Sequence, residues 1–469
     1  MDKNLHNILK NIPPVNDLLK NADIMALYGK YGYSHVRFLA RTAVAGMRAE
    51  ICANSNAFAG HSRAAFLKEL ADRIKTACED RARMRMCAVV NATGTLLHTG
   101  LGRAPLSASA LQAISDELRS YSALSVDAAS NKRARRERFV SQLLCEITGA
   151  QSATAVNNNA AAALLCLSVF AKKKEVIVSR GQLVEIGGSF RLPEVLKQSG
   201  ARLIEVGTTN RTYLKDYANA ITEKTAVILK VHTGNYKITG FTEEVETGKL
   251  AKLAKKHRLI LMDDIGSGAL VDTSAFGIGR EPMVRDSVRD GANITCFSAD
   301  KLIGGPQAGI ILGKRNLIDE LRSNPLFRAL RPDKLTLVCL EATLNLFLHP
   351  ERLSEEHALF RMFALRPETI EKRANLMAEA IRNADSGLSV TLDSDFSDIG
   401  GGSLPAEKLP TIIVKVQSAS ISAEQLARKL RMSRRPVFAR IKNNYVILDA
   451  RTVFDDEIEP IADAFARPQ

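Results

Sequence analysis

The sequence predicts an α/β protein with a mainly parallel sheet, preceded by a helical domain and followed by a small α+β domain. Three observations point there. Between about residues 90 and 345, short β-branched runs alternate with helical segments, the rhythm of a sheet covered by helices on both faces. Before that stretch, apolar residues recur at helical spacing. Beyond it, helical segments flank a few strand-like runs, in a chain whose 469 residues exceed what one core usually serves. The expected domains are 1–80, 81–345 and 346–469.

In the first region Leu18, Leu19, Ile24, Leu27, Val36, Phe38, Leu39, Val44 and Met47 form the apolar periodicity, with Lys20, Lys30, Arg37, Arg41 and Arg48 between them. Pro13-Pro14 separates a first helix from the next, and a further helix is expected from about Arg63 to Asp80. A helical cap with a solvated basic face and an RNA-docking domain fit these residues equally. In the second region the expected strands are 175–179, 202–206, 225–231, 259–263, 293–297 and 308–312, with helices such as 246–257 and 283–291 between several of them. Ligands of such sheets lie beyond the carboxyl ends of the strands. In the third region, strands are expected at 390–392 and 411–416, with 445–448 as a hairpin partner.

Composition narrows the class. Sixty-five Lys and Arg against 51 Asp and Glu give a net charge of +14, which favours an anionic partner such as nucleic acid without requiring one. The longest nearly apolar stretch, Ala160 to Ala171, is too short to span a bilayer, and Met1–His6 lacks the apolar run of a secretory signal. Seven scattered cysteines without a Cys-x-x-Cys pair are expected to be reduced thiols of a cytoplasmic protein. No zinc or iron–sulfur spacing is present. Two phosphate-loop patterns fail: Gly309–Arg315 is one residue short of a Walker A loop and ends in Arg, and Gly100–Pro105 lacks the third glycine of a dinucleotide loop.

The strongest local feature is Ser298-Ala-Asp300-Lys301-Leu-Ile-Gly-Gly-Pro306. A lysine here follows a buried strand and precedes a turn that lets backbone approach a ligand. Desolvation would lower its amine pKa, as a Schiff-base lysine requires, and Ser298 is placed to donate to a phosphate. A lone lysine at a sheet edge would more often merely snorkel. Two further features accompany this one. Asp264, in Asp263-Asp264-Ile-Gly-Ser267-Gly, ends another expected strand and suits a pyridinium nitrogen; Ser267 belongs to the same turn. Asn157-Asn158-Asn159-Ala160 opens the apolar helix, where backbone N–H groups and the helix dipole favour a phosphate. Lysine, acid and helix start in this order point to pyridoxal phosphate (PLP) and to a fold-type I enzyme. A turn aspartate and an Asn helix cap are the bland alternatives. His232, after the strand at 225–231, is a candidate to lie against the cofactor. Arg103, Arg328 and Arg331 are candidates for an anion, although most arginines only solubilise. The basic run Lys132–Arg138 fits RNA backbone or a solvated helix start.

Longer motifs carry a resemblance. Asn91-Ala-Thr-Gly94, Gly102-Arg-Ala-Pro-Leu106, Val156–Ala161, Val184–Arg191, Val206-Gly-Thr-Thr-Asn-Arg-Thr212, Asp300–Gln307 and Arg328-Ala-Leu-Arg331 closely resemble the bacterial selenocysteine synthases, the L-seryl-tRNA(Sec) selenium transferases. The likeness runs nearly end to end. It implies that the N-terminal domain holds the tRNA and that Lys301 forms an internal aldimine, displaced by the amino group of tRNA-bound serine. Loss of the α-proton and β-hydroxyl would leave a dehydroalanyl adduct, to which selenium from selenophosphate adds. It further implies that Arg103, Arg328 and Arg331 bind selenophosphate and that Asp300 serves as an acid–base or orienting group. A large homo-oligomer, with sites at subunit boundaries, is implied as well. The chain departs from the family pattern at Gly100, Gln182 and Ala299, and across 126–137, where a Tyr, a Glu, a Ser and a His of the family are replaced.

Overall fold

The computed structural model describes residues 3–83, 86–187 and 190–466. The chain divides into two compact units, Met1–Ala88 and Val89–Gln469. The first is all-helical among its described residues, with two long helices, Tyr33–Ala53 and Arg63–Arg83, and four short ones ahead of them. Val36, Ala40, Val44, Met47 and Ile51 fall on one face of the Tyr33–Ala53 helix at steps of three and four. They pack with Phe66, Leu70 and Ile74. Phe38, read above with this apolar set, is exposed instead, because it lies two residues from Val36 and Ala40 and so on the opposite face. Pro14 precedes the helix at Val15–Leu18 as its cap, which suits a residue that cannot continue a helix from within. Lys20, Lys30, Arg37, Arg41 and Arg48 are all exposed.

The second unit holds two large sheets and two two-stranded ribbons among its described residues. The larger has seven strands: β1 (Ser152–Val156), β2 (Glu175–Ser179), β3 (Arg202–Val206), β4 (Thr225–Val231), β5 (Ile260–Gly266), β6 (Ile294–Ser298) and β7 (Gly309–Gly313). Their spatial order is β1-β7-β6-β5-β4-β2-β3. All neighbouring pairs are parallel except those of β7, which runs antiparallel to both β1 and β6. Alternation along a strand sorts side chains to the two faces. Ile310 and Leu312 join one core cluster and Ile311 the other. The helix Asn159–Phe170, whose buried positions go round most of its circumference, packs into the second cluster. Six of these strands were expected from their β-branched runs. β1, Ser-Ala-Thr-Ala-Val, was not, because its β-branched Thr154 and Val156 alternate with Ala and Ser rather than forming a run, and it is recognised only by its pairing with β7.

The smaller sheet contains β8 (Leu388–Gly400), β9 (Lys408–Ser418), β10 (Val437–Lys442) and β11 (Tyr445–Asp449). Its outer positions are taken by Val90–Ala92, beside β10, and Thr95–Leu97, beside β8. Residues 90–97 therefore pair with strands some 300 positions later rather than with the large sheet that follows them in sequence. No helix among the described residues is long and apolar enough to cross a membrane.

Candidate active site

At the carboxyl ends of β4, β5 and β6 lies a cavity of about 320 Å³ lined by Lys301, Asp264, Ser298, Asp300, His232, Asn158, Asn159, Ala160 and Arg103, with Gln307 and Phe190. The sheet order explains the convergence. β5 and β6 are neighbours, so the residues at their carboxyl ends, Asp264 and Ser298–Lys301, meet although more than thirty positions apart. Antiparallel β7 sits between β6 and β1 and brings the start of the helix Asn159–Phe170 to the same end. Only glycine fits at position 309, since a Cβ there would fall 2.1 Å from the carbonyl oxygen of Asn158.

Lys301 is 4% exposed. Burial lowers its amine pKa and the guanidinium of Arg103 adds to the effect, against Asp264, Asp300 and Glu281, which pull it up. The backbone of Gly402 comes so close that a Cβ there would lie 3.5 Å from Lys301 Nζ. Asp264 is equally buried, and burial pushes its carboxyl up to about 6, against the hydrogen bond from Asn159 and the charge of Lys301. Asn159 Nδ2 donates to Asp264 Oδ1 at 2.8 Å, while Asn158 Oδ1 accepts from Ala161 N at 2.9 Å. The two asparagines thus divide the work: Asn158 caps the helix and Asn159 orients the acid. Asn159 Oδ1 is buried without a hydrogen-bond partner, as is the hydroxyl of Ser267.

Arg103 forms an ion pair with Asp300. It does so from a left-handed backbone conformation, φ 65°, unusual for a non-glycine residue and characteristic of side chains held for a purpose. His232 Nε2 lies 3.0 Å from Oε1 of Glu281, a carboxylate buried beneath it. Glu281 was not anticipated, for it sits in an irregular segment with no periodic signal. Nor was His357. Its Nδ1 accepts from Leu359 N, so the proton resides on Nε2, which donates to the carbonyl of Ile303 at 2.7 Å. The ring leaves room only for glycine at 304, where a Cβ would lie 2.3 Å away. The turn that carries Lys301 is therefore pinned from beneath.

Asn157, Ser267, Arg328 and Arg331 are outside the cavity lining. Asn157 is exposed, its N–H bound to the carbonyl of Leu330 at 2.8 Å. Ser267 is buried in the turn after β5 and its carbonyl accepts from Leu302 N. Arg328 is exposed at the end of the helix Pro325–Leu330, and Arg331 follows it. The guanidinium of Arg136, then those of Arg328 and Arg133, lower the pKa of Arg331, which marks a local concentration of positive charge. In the segment 126–137, Val126–Asp127 and Lys132–Arg133 form a two-stranded ribbon, and buried Glu137 accepts from Arg322 Nε at 3.0 Å. Gln182 donates to Glu244 and accepts from Val231 N, a pair of bonds that requires the amide, since a carboxylate has no proton to donate.

A buried oxygen without a partner on Asn159, a desolvated amine and a raised acid in one cavity fit PLP: Lys301 would serve its aldehyde, Asp264 with Asn159 its ring nitrogen, and Ser298 with the helix start at Asn158–Ala160 its phosphate.

A family model described as SelA, L-seryl-tRNA selenium transferase, matches residues 89–454. The L-seryl-tRNA(Sec) selenium transferase of Alkaliphilus oremlandii is 44% identical over 463 residues, covering 98% of this chain and 99% of that protein. That of Clostridium botulinum strain Loch Maree is 41% identical over 468 residues, covering 100% and 99%. Among solved structures, D-glucosaminate-6-phosphate ammonia-lyase superposes with a TM-score of 0.58 at 20% identity, over 82% of this chain and 96% of that one. That likeness shows a shared fold, in agreement with the fold-type I arrangement expected from the sequence. By its full-length relatives and the family match alike, this chain belongs to the L-seryl-tRNA(Sec) selenium transferase family.

Proposed function

We propose that this protein converts seryl-tRNA(Sec) into selenocysteinyl-tRNA(Sec) in the cytoplasm, with PLP as cofactor and selenophosphate as selenium donor. The observation that carries the reading is the desolvated amine of Lys301 facing the buried carboxyl of Asp264 in one cavity, in a chain of this family. PLP, when bound, supplies an aldehyde that captures amines and a ring that takes up electron density from the α-carbon of the amino acid. Lys301, with its amine pKa lowered by burial, is suited to hold the cofactor and then to take and return the α-proton at Nζ. Asp264, fixed by Asn159, presents its carboxylate to a cationic ring nitrogen. His232, backed by Glu281, forms one wall. The serine β-hydroxyl would leave as water, selenium from selenophosphate would bond to the β-carbon in its place, and the Se–P bond would be cleaved by water to release phosphate.

Arg103 is the guanidinium in the cavity, and Asp300 orients it. We assign Arg103 to the selenophosphate anion, together with Arg328 and Arg331 supplied across a subunit boundary of a homo-oligomer. Two features support that assembly: Arg328 stands exposed and Arg331 half-buried, both off the cavity lining, and apolar Leu111, Tyr121, Phe139 and Leu335 are exposed on the same unit. The basic helical unit 1–80 is assigned to the body of the tRNA, and all seven cysteines are free thiols, in keeping with a reducing compartment. Purified holoenzyme incubated with seryl-tRNA(Sec) and labelled selenophosphate should transfer label to the tRNA-bound amino acid. Serine recovered unchanged from that tRNA after prolonged incubation contradicts the reading.

A further inference from the structure

His232 stands at the end of β4 and lines the Lys301 cavity, its side chain 27% exposed. Its Nε2 is bound to Glu281, while its Nδ1 has no hydrogen-bond partner among the described residues. Glu281 is 2% exposed, and its carboxylate bonds to no other side chain among the described residues. A carboxylate only accepts, so Nε2 carries a proton towards it and Nδ1 is the nitrogen left to act in the cavity. The acid is held in place by buried Thr273, whose hydroxyl accepts from Glu281 N at 3.0 Å and donates to Gly279 O at 2.6 Å. A Cβ at Gly234 would lie 2.4 Å from the Gly402 carbonyl oxygen and 3.4 Å from His232 Cδ2, and one at Gly402 would lie 3.5 Å from Lys301 Nζ. The imidazole and the amine therefore flank one short stretch of backbone.

Loss of a β-hydroxyl needs two proton transfers, one from the α-carbon and one to the departing oxygen, because hydroxide leaves poorly. The Lys301 amine serves the first. For the second, Asp264 is engaged by Asn159 beside the ring nitrogen assigned to it, and Asp300 is paired with Arg103. Of the titratable groups lining the cavity, His232 alone is left without such a duty. We propose that His232 is the acid that protonates the departing β-oxygen, and that Glu281 is its positioning residue, fixing the ring and meeting its charge. The inference rests on the seryl-tRNA reading above. The proton on Nδ1 passes to the β-oxygen, the Cβ–O bond breaks with its electron pair on oxygen, and water departs. The electron pair left when the α-proton went to Lys301 closes the bond between the α- and β-carbons. His232 regains a proton from the incoming selenophosphate as its selenium bonds to the β-carbon, and Lys301 returns the α-proton.

The test compares two substrates of the holoenzyme: seryl-tRNA(Sec), whose hydroxyl needs a proton to leave, and β-chloroalanyl-tRNA(Sec), whose chloride does not. Glu281→Gln keeps the size of the side chain and removes its charge. It should lower kcat for selenium transfer to seryl-tRNA(Sec) about a hundredfold with KM unchanged, the scale of one impaired proton transfer. Exchange of the seryl α-proton with deuterated water should stay within about threefold of wild type, as should transfer to β-chloroalanyl-tRNA(Sec). The affinity of Glu281→Gln for PLP, read from visible absorption, should be that of wild type. Glu281→Asp, which restores the carboxylate, should recover part of the loss, and His232→Asn should show the same contrast between the two substrates. The proposal is overturned if Glu281→Gln uses seryl-tRNA(Sec) as well as wild type does. It is equally overturned if both substrates slow alike, as a loosened fold would make them, or if α-proton exchange falls with transfer, which would place the pair behind Lys301. If wild type neither exchanges the α-proton nor transfers selenium, the substrate reading falls and this inference with it.

Discussion

Asp264 and Lys301 oppose each other in a cavity that burial has made hostile to both charges. For the acid, a folded-state pKa of about 6 against an ordinary 3.8 means that ionisation costs the folded apoprotein about 3 kcal/mol at neutral pH. Because the folded value is the higher one, the associated stability is present below pH about 4 and is lost as pH rises through about 6. Asp264→Asn keeps an acceptor for Asn159 and cannot ionise. The apo variant should therefore melt above the wild-type apoprotein at pH 7.5, by an amount worth about 1–3 kcal/mol, with the gap closing towards pH 4. It should also hold PLP less tightly, since a neutral amide does not favour a protonated ring nitrogen. Calorimetry of the two apoproteins across that range checks the first expectation; equal melting at every pH would contradict it.

At the scale of elements, the chemistry depends on the turn after β6 keeping one shape. His357 pins it by donating to Ile303 while accepting from Leu359. Burial pushes the imidazole down to about 4 from its usual 6.5. A base with a depressed folded pKa contributes stability that is present above the unfolded value and lost as pH falls through the folded one. Wild type should thus lose about 3 kcal/mol between pH 6.5 and pH 4 from this group, and with it the cofactor's visible absorption. His357→Gln retains a donor for Ile303 but has no proton to gain. It should cost about 1 kcal/mol at pH 8 and show a flatter acid limb in denaturant titrations. A variant with the same acid limb as wild type would mean that His357 is not the group responsible.

At the scale of the molecule, what could be read in advance was what repeats along the chain. β-branched runs marked six of the seven large-sheet strands, and strand ends followed by Asp264 and by Ser298–Lys301 showed where chemistry should sit. Long-range pairing was not legible. Nothing local to Val90–Ala92 says that it lies beside β10, and β1 became a strand through β7. Side-chain direction was equally hidden. Three consecutive asparagines look alike as a helix start, yet Asn157 is exposed, Asn158 caps and Asn159 holds the acid. Glu281 and His357 gave no signal because each acts by where the fold carries it, beneath His232 and beneath Ile303. Arg328 and Arg331 stand off the cavity that Arg103 enters, which a single chain's sequence does not reveal.

All of these scales meet in the claim that, among the many lysines of the chain, the one held out of water at the end of β6 carries the cofactor. Purified holoenzyme can be reduced with borohydride, digested and mapped by mass spectrometry. The account predicts a pyridoxyl group on the peptide containing Lys301 and no visible cofactor absorption in Lys301→Ala. A pyridoxyl group on any other lysine, or an unmodified Lys301 in protein that retains its absorption, would contradict it.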